Sequence, residues 1–194
     1  MLKQRVTVAV ILIFIVILLL YFKCIYSLHM LTTLCLCYDI FSLATLHDSN
    51  HIKYQISMVF SCLMILINEL LYLLYLLNPP MVLTILIISQ TSDILQYFCG
   101  CCGKYYIGWV SPKKTYEGYI GGFITTLTLF SFYVEIWDIF LIYFFSITSS
   151  LLSSLFKRYL GIKDYSGLLY SHGGWLDRVD SLMLPCVIYY WYLK

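Results

Sequence analysis

Charge is what this 194-residue sequence has least of: only 11% of it is Asp, Glu, Lys or Arg, against 61% hydrophobic residues. Soluble domains carry about 25% charged residues. A chain this short cannot hide so much apolar surface in a water-exposed globule, because small domains bury only about 60–70% of the surface that they expose when unfolded. The surplus has to face lipid. Scarcity of charge also excludes a disordered segment, and a net charge of +2 leaves no basic face for nucleic acid. The eight cysteines fall mostly inside apolar runs, where a thiol is a small hydrophobe. Cys99, Cys101 and Cys102 sit at a span edge expected to face a reducing compartment, so disulfides are not expected, and the trio lacks the second pair that a metal site would want. Internal repeats and low-complexity linkers are absent.

What is there in abundance is apolar sequence of membrane-spanning length, for which ~20 residues suffice. Val6–Phe22 is the clearest run and reads as a retained anchor rather than a cleaved signal, since no small-x-small site follows it. Cys24–Leu46, Gln55–Leu77, Met81–Phe98 after the Pro79–Pro80 break, Tyr119–Tyr133, Trp137–Leu155 and Ser181–Leu193 follow. The expectation is an all-α polytopic integral membrane protein with about seven, six to seven, transmembrane helices. With the N-terminus in the cytoplasm, alternation puts Lys3, Arg5, Lys53, Lys104, Lys113, Lys114, Lys157, Arg158, Lys163 and Arg178 on one side, and only Lys23 and Lys194 on the other. That asymmetry is the positive-inside pattern.

Half of the charged residues gather in two stretches expected to face the cytoplasm, Lys104–Glu117 and Lys157–Asp180. In the first, Ser111-Pro112 reads as an N-cap followed by a first helical residue, which predicts a helix from Pro112. Lys113 and Lys114 would then lie in the first turn, against the dipole preference, a conflict that a bound phosphate would resolve. Gly118, Gly121 and Gly122 would let a helix or a ligand come close. The second stretch holds Asp164, Asp177 and Asp180. On a helix, Asp177 and Asp180 share a face and repel unless a cation sits between them. Magnesium held by one or two carboxylates and substrate phosphates answers that need. His172-Gly173-Gly174 is a turn able to offer backbone N–H groups to phosphate, and Lys157, Arg158, Lys163 and Arg178 supply anion ligands. The plainer readings are a salt-bridged helix end for Asp177-Arg178-x-Asp180 and interfacial lysines for the first stretch.

These residues resemble the phosphatidate cytidylyltransferase (CDP-diacylglycerol synthase) family. Ser154, Lys157, Arg158, Lys163, Asp164, His172, Gly173, Gly174, Asp177, Arg178 and Asp180 fall in register with its signature. Ser111-Pro112-Lys113-Lys114-Thr115 with Glu117-Gly118 is similar to its SPKKTxEG segment, and Ser92-Asp93 with Tyr97 and Gly100 to the preceding span. Bacterial members commonly carry an acidic pair where Ser150 and Ser153 stand here, which makes the resemblance eukaryotic-like. Tyr116, Tyr170 and Trp175 also depart from the usual pattern.

The resemblance implies transfer of the CMP moiety of CTP to phosphatidic acid, giving CDP-diacylglycerol and pyrophosphate for phospholipid biosynthesis. It implies N-terminal transmembrane helices over residues 1–80 and a catalytic membrane domain over 81–194 with loops 99–118 and 156–180. Asp177, Asp180, Lys163, Asp164, His172 and Arg178 would be catalytic. Ser111, Lys113, Lys114, Thr115, Lys157, Arg158, Gly173 and Gly174 would bind substrate, and Asp177, Asp180, Asp164 and Asp93 would hold magnesium, alone or with a second cation. The implied surroundings are the lipid bilayer, with the site facing the cytoplasm, at the endoplasmic reticulum if the chain is eukaryotic and as a homodimer if it assembles. Two alternatives stand beside this: a degenerate member without turnover, and a small ion-coupled transporter lined by Asp39, Glu69 and Asp93.

Overall fold

The computed structural model describes residues 25–46, 51–101, 103–108, 111–168 and 173–194. Helices dominate: α1 (Ile25–Leu46), α2 (His51–Leu77), α3 (Pro79–Gly100), α4 (Tyr116–Phe130), α5 (Ile136–Leu160), the short α6 (Leu176–Val179), a 3-10 turn (Asp180–Leu182) and α7 (Met183–Leu193). A two-stranded antiparallel ribbon, β1 (Tyr106–Ile107) with β2 (Ser111–Thr115), interrupts them.

Four helical segments are long and apolar enough to cross a membrane: Tyr26–Thr45, Ile52–Leu77, Pro79–Gly100 and Ile136–Leu160. At 1.5 Å per residue, the 22-residue α3 reaches about 33 Å, the thickness of a hydrocarbon core. The seven-span expectation is met only to this extent. The run Tyr119–Tyr133 becomes the 15-residue α4, about 22 Å long, and the last run becomes the 11-residue α7. Val6–Phe22 lies outside the described residues. The helices break where the two prolines were expected to part them: α2 ends at Leu77, and the prolines open α3 behind an Asn78 N-cap whose side chain accepts from the Met81 N–H.

The chain divides into two compact units. The first comprises residues up to Tyr72 and Leu160–Val179; the second comprises Leu73–Tyr159 and Asp180–Lys194. In the first, α1 is joined to α2 by polar contacts inside apolar surroundings. Asn68 Nδ2 donates to Thr33 Oγ1 (3.0 Å), His29 Nε2 lies 3.2 Å from Glu69 Oε1, and the His29 ring stacks on Tyr72. Tyr165, fully buried, stacks on Phe60. In the second, Val82, Ile85 and Ile88 of α3, Ile139 and Ile142 of α5, and Met183, Cys186 and Tyr189 of α7 are buried. The glycines of α4 serve close approach to α3: a Cβ at Gly122 would stand 2.7 Å from Gln96 Cγ, one at Gly121 2.8 Å from Cys99 Cβ, and one at Gly118 2.7 Å from the Gln96 carbonyl oxygen. The described cysteines Cys35, Cys37, Cys62, Cys99, Cys101 and Cys186 are free thiols.

The helix expected from Pro112 is not formed. Ser111–Thr115 is strand β2, and α4 begins at Tyr116 with Thr115 as its N-cap, Thr115 Oγ1 accepting from the Gly118 N–H. A proline drives the residue before it toward extended backbone, so Ser111 favours the strand. The boundary also removes the electrostatic conflict. Lys113 and Lys114 lie upstream of the helix, and the first turn holds Glu117, the sign that the dipole favours.

Candidate functional site

In the first unit the signature loop is held by two carboxylates. Asp39, in the middle of α1 and fully buried, accepts from Ser166 Oγ on Oδ1 (2.5 Å) and from the Leu176 N–H on Oδ2 (2.7 Å). Asp177 Oδ2 accepts from the N–H groups of Tyr165 and Gly174, each at 2.9 Å. Between them runs Gly173-Gly174. Gly173 has φ +80, a left-handed conformation that only glycine adopts at little cost, and a Cβ there would lie 2.9 Å from Asp177 Oδ2. A Cβ at Gly174 would lie 2.6 Å from Asp39 Oδ2. Lys163, Asp164 and Arg178 are exposed. His172 lies outside the described residues.

In the second unit Lys114, near the end of β2, donates to Ser150 Oγ on α5 (2.9 Å) and stands 3.9 Å from Asp93 Oδ1 on α3, with its ammonium 5.6 Å from the Tyr119 ring centre. Asp93 Oδ1 is buried with no hydrogen-bond partner. Ser181 accepts from Gln90 Nε2 at 3.4 Å. Next to it Asp180 Oδ2 lies 3.9 Å from Lys157 Nζ, with side chains 14% and 12% exposed. Arg158 is exposed in the last turn of α5. Thr115 and Glu117 fasten the ribbon to the helices. Thr115 Oγ1 donates to the Gly100 carbonyl, and Glu117 Oε1 accepts from the backbone N–H groups of Lys104 (2.9 Å) and Tyr105 (3.2 Å). Those backbone donors, Lys104 first, hold the Glu117 carboxyl below the usual glutamate range. Ser111 and Lys113 are placed in β2 by their backbone.

The α-helix that Asp177 and Asp180 were expected to share stops at Val179. A 3-10 turn, Asp180–Leu182, follows directly, and Ser149 on α5 meets the chain there. Its Oγ donates to the Asp180 carbonyl (2.5 Å) and accepts from the Leu184 N–H (3.4 Å), so a side chain stands between a carbonyl and the N–H four residues on that an α-helix would join directly. In the second unit Ser149 and Ser181 make contacts that no motif singles out, and Ser150 stood out only as a departure from the bacterial acidic pair; in the first, Asp39 drew attention only as an ionisable residue within a span.

Among the described residues no three His, Cys, Asp or Glu side chains converge as a ready-made metal cage. Magnesium needs only one or two carboxylates alongside substrate phosphates. The buried Asp93 Oδ1, which has the Lys114 ammonium 3.9 Å away but no hydrogen-bond partner, is the position that fits such an ion. Asp177 Oδ2 already takes two backbone N–H groups.

The cytidylyltransferase family model matches residues 4–194. The chain is 34% identical over 131 residues to the phosphatidate cytidylyltransferase of Haemophilus influenzae, covering 58% of this chain and 46% of that one. It is 28% identical over 151 residues to the phosphatidate cytidylyltransferase of Aquifex aeolicus, covering 71% and 58%. It is also 32% identical over 126 residues to the uncharacterized protein YnbB of Escherichia coli, covering 59% and 42%. The chain thus spans about half the length of the curated relatives it matches.

Proposed function

From a chain that belongs to the cytidylyltransferase family, we propose the transfer of the CMP moiety of CTP to phosphatidic acid, forming CDP-diacylglycerol and releasing pyrophosphate. Two of the relatives above bear the name of that activity. The observation that carries the reading is a pair of part-buried lysine–carboxylate contacts within one unit, Lys114–Asp93 and Lys157–Asp180.

The lipid phosphate oxygen attacks the α-phosphorus of CTP, a P–O bond to it forms, and the bond to the β-phosphate oxygen breaks, so pyrophosphate leaves with the electron pair. The nucleophile is anionic near neutral pH, so a strong general base is not required. The barrier is the approach of one anion to another, and fixed cationic groups lower it by facing the charge of the transferring group. Lys114 and Lys157 take that part, with Lys113, Arg158, Lys163 and Arg178 as further anion ligands. Ser150 holds the Lys114 ammonium in place. Gly173 and Gly174 offer backbone at close range, and His172 acts as a phosphate contact rather than a base. Within the second unit Asp93 and Asp180 would hold magnesium, and a bound ion would supply positive charge at the phosphates. The positive-inside distribution supports a site facing the cytoplasm, and the Val6–Phe22 run supports a span in addition to the four described.

Full-length protein in membranes, given labelled CTP and phosphatidic acid with and without magnesium, is expected to form a lipid-soluble cytidine product that depends on both substrates. Lys114→Met is expected to lower kcat by about 10²-fold, the scale of losing one preorganised electrostatic contact. Folded protein that makes no such product at any magnesium concentration overturns the reading.

A further inference from the structure

The geometry points to Asp39 as a positioning residue for the signature loop, acting from a membrane helix far upstream of it. The proposal deepens the cytidylyl-transfer reading and rests on it for its kinetic arm. Asp39 is fully buried among the apolar residues of α1. A carboxylate there is costly unless something specific receives it. Both of its oxygens are taken by one short stretch of chain: Ser166 Oγ, 127 positions away, and the Leu176 N–H, 137 positions away. The Ser166 hydroxyl also accepts from the Leu168 N–H (3.2 Å), so the bond to Asp39 fixes the turn at the start of the loop as well as its end.

The contact reaches the residues that the reaction uses. Leu176 opens α6, whose second residue is Asp177, and Asp177 Oδ2 in turn receives the Gly174 N–H. Asp39 Oδ2 stands 2.6 Å from where a Gly174 Cβ would be, so the carboxylate packs directly on the glycine backbone. Gly173-Gly174 is therefore clasped between Asp39 on one side and Asp177 on the other. Glycines alone would leave this backbone many conformations. Asp39 selects one of them, and it does so without touching substrate.

The test uses the full chain in lipid nanodiscs and compares Asp39→Ala, Asp39→Asn and Ser166→Ala with the natural protein. Backbone amide exchange over residues 173–178 is read alongside kcat and KM for CTP. An asparagine can still accept from the Leu176 N–H and can donate to Ser166 Oγ, so it keeps the geometry without the charge. The expected result is that Asp39→Ala speeds exchange of this segment and lowers kcat, each about a hundredfold or more, as loss of two bonds to a charged acceptor implies. Asp39→Asn should stay within about tenfold of the natural protein in both readings and change less than Asp39→Ala, since a neutral hydrogen bond differs from a charged one by about that factor. The KM for CTP should change less than kcat. Unchanged exchange in Asp39→Ala overturns the proposal, and so does an Asn variant as damaged as the Ala variant. Should Asp39→Ala fail to fold, Ser166→Ala, which removes the Oδ1 contact and the Leu168 N–H bond but leaves the Leu176 N–H on Asp39 Oδ2, decides by the same exchange reading. A natural protein that forms no liponucleotide refutes the transfer reading alone, because exchange still decides what Asp39 holds.

Discussion

Replacing Ser149 with alanine tests how Asp180 is aimed. The Ser149 hydroxyl bridges the Asp180 carbonyl and the Leu184 N–H, and the side chain is only 3% exposed, so neither freed group reaches bulk water. Two hydrogen bonds at about 0.5–1.5 kcal/mol each put the loss at roughly 1–3 kcal/mol if the gap stays open. If the gap closes, the carbonyl and the N–H join directly and the loss falls below about 1 kcal/mol. The Asp180–Leu182 turn then unwinds from three to 3.6 residues per turn, rotating about 20° per residue. Asp180 Oδ2, now 3.9 Å from Lys157 Nζ, swings away in that case.

The two outcomes separate by thermal unfolding in detergent, where each kcal/mol moves the midpoint by about 2–4 °C for a chain of this size. Both predict lower liponucleotide formation, and Ser149→Thr, which keeps the hydroxyl, should retain it. The decisive comparison is a cycle with Asp180→Asn. If Ser149 acts by aiming Asp180, the double variant should be little worse than Asp180→Asn alone. Effects of the two substitutions that multiply instead would refute the reasoning.

Gly173→Ala should cost about 1–2 kcal/mol for a left-handed alanine, and its methyl would meet Asp177 Oδ2 at 2.9 Å. Gly108→Ala carries the same backbone cost at φ +61 with nothing within 4 Å, so activity lost in the first but kept in the second is the expected pattern, and equal activities would contradict it. Glu117, held below its ordinary pKa by the Lys104 and Tyr105 N–H groups, stabilises the start of the ribbon fully above the ordinary glutamate value and loses that contribution as pH falls through the depressed folded value. Exchange of those two amides, corrected for intrinsic rate, should accelerate on acidification over that window and be flat with pH in Glu117→Gln; a flat natural profile would count against the anchor.

How much of this was legible beforehand depends on what kind of residue carries each part. The membrane class, the apolar helices and the motif residues stood out because lipid and phosphate chemistry demand unusual residues in unusual places: a lysine pair, an Asp-Arg-x-Asp, a glycine pair. The start of α4 was legible in principle. Two lysines in a first turn oppose the dipole, and Thr115 with Glu117 two residues on satisfies it. Local chemistry favoured the later boundary, and Ser-Pro, which suits both an N-cap and an extended residue before proline, concealed it.

The supports were not legible for a different reason. Ser149, Ser150 and Ser166 are ordinary residues whose roles exist only once a partner tens of residues away arrives, and nothing local distinguishes a serine that bridges a helix gap from one bonded to its own backbone. Asp39 lies between these cases. Its cost within an apolar helix announces a partner, but the partner's identity is tertiary. The transporter reading arose from that cost alone. It loses its ground once both Asp39 oxygens are seen to hold the loop and Glu69 is seen beside His29. An ionisable residue in a span thus signals that some polar backbone needs holding at that depth, and here the backbone held is that of Leu176, at the opening of α6.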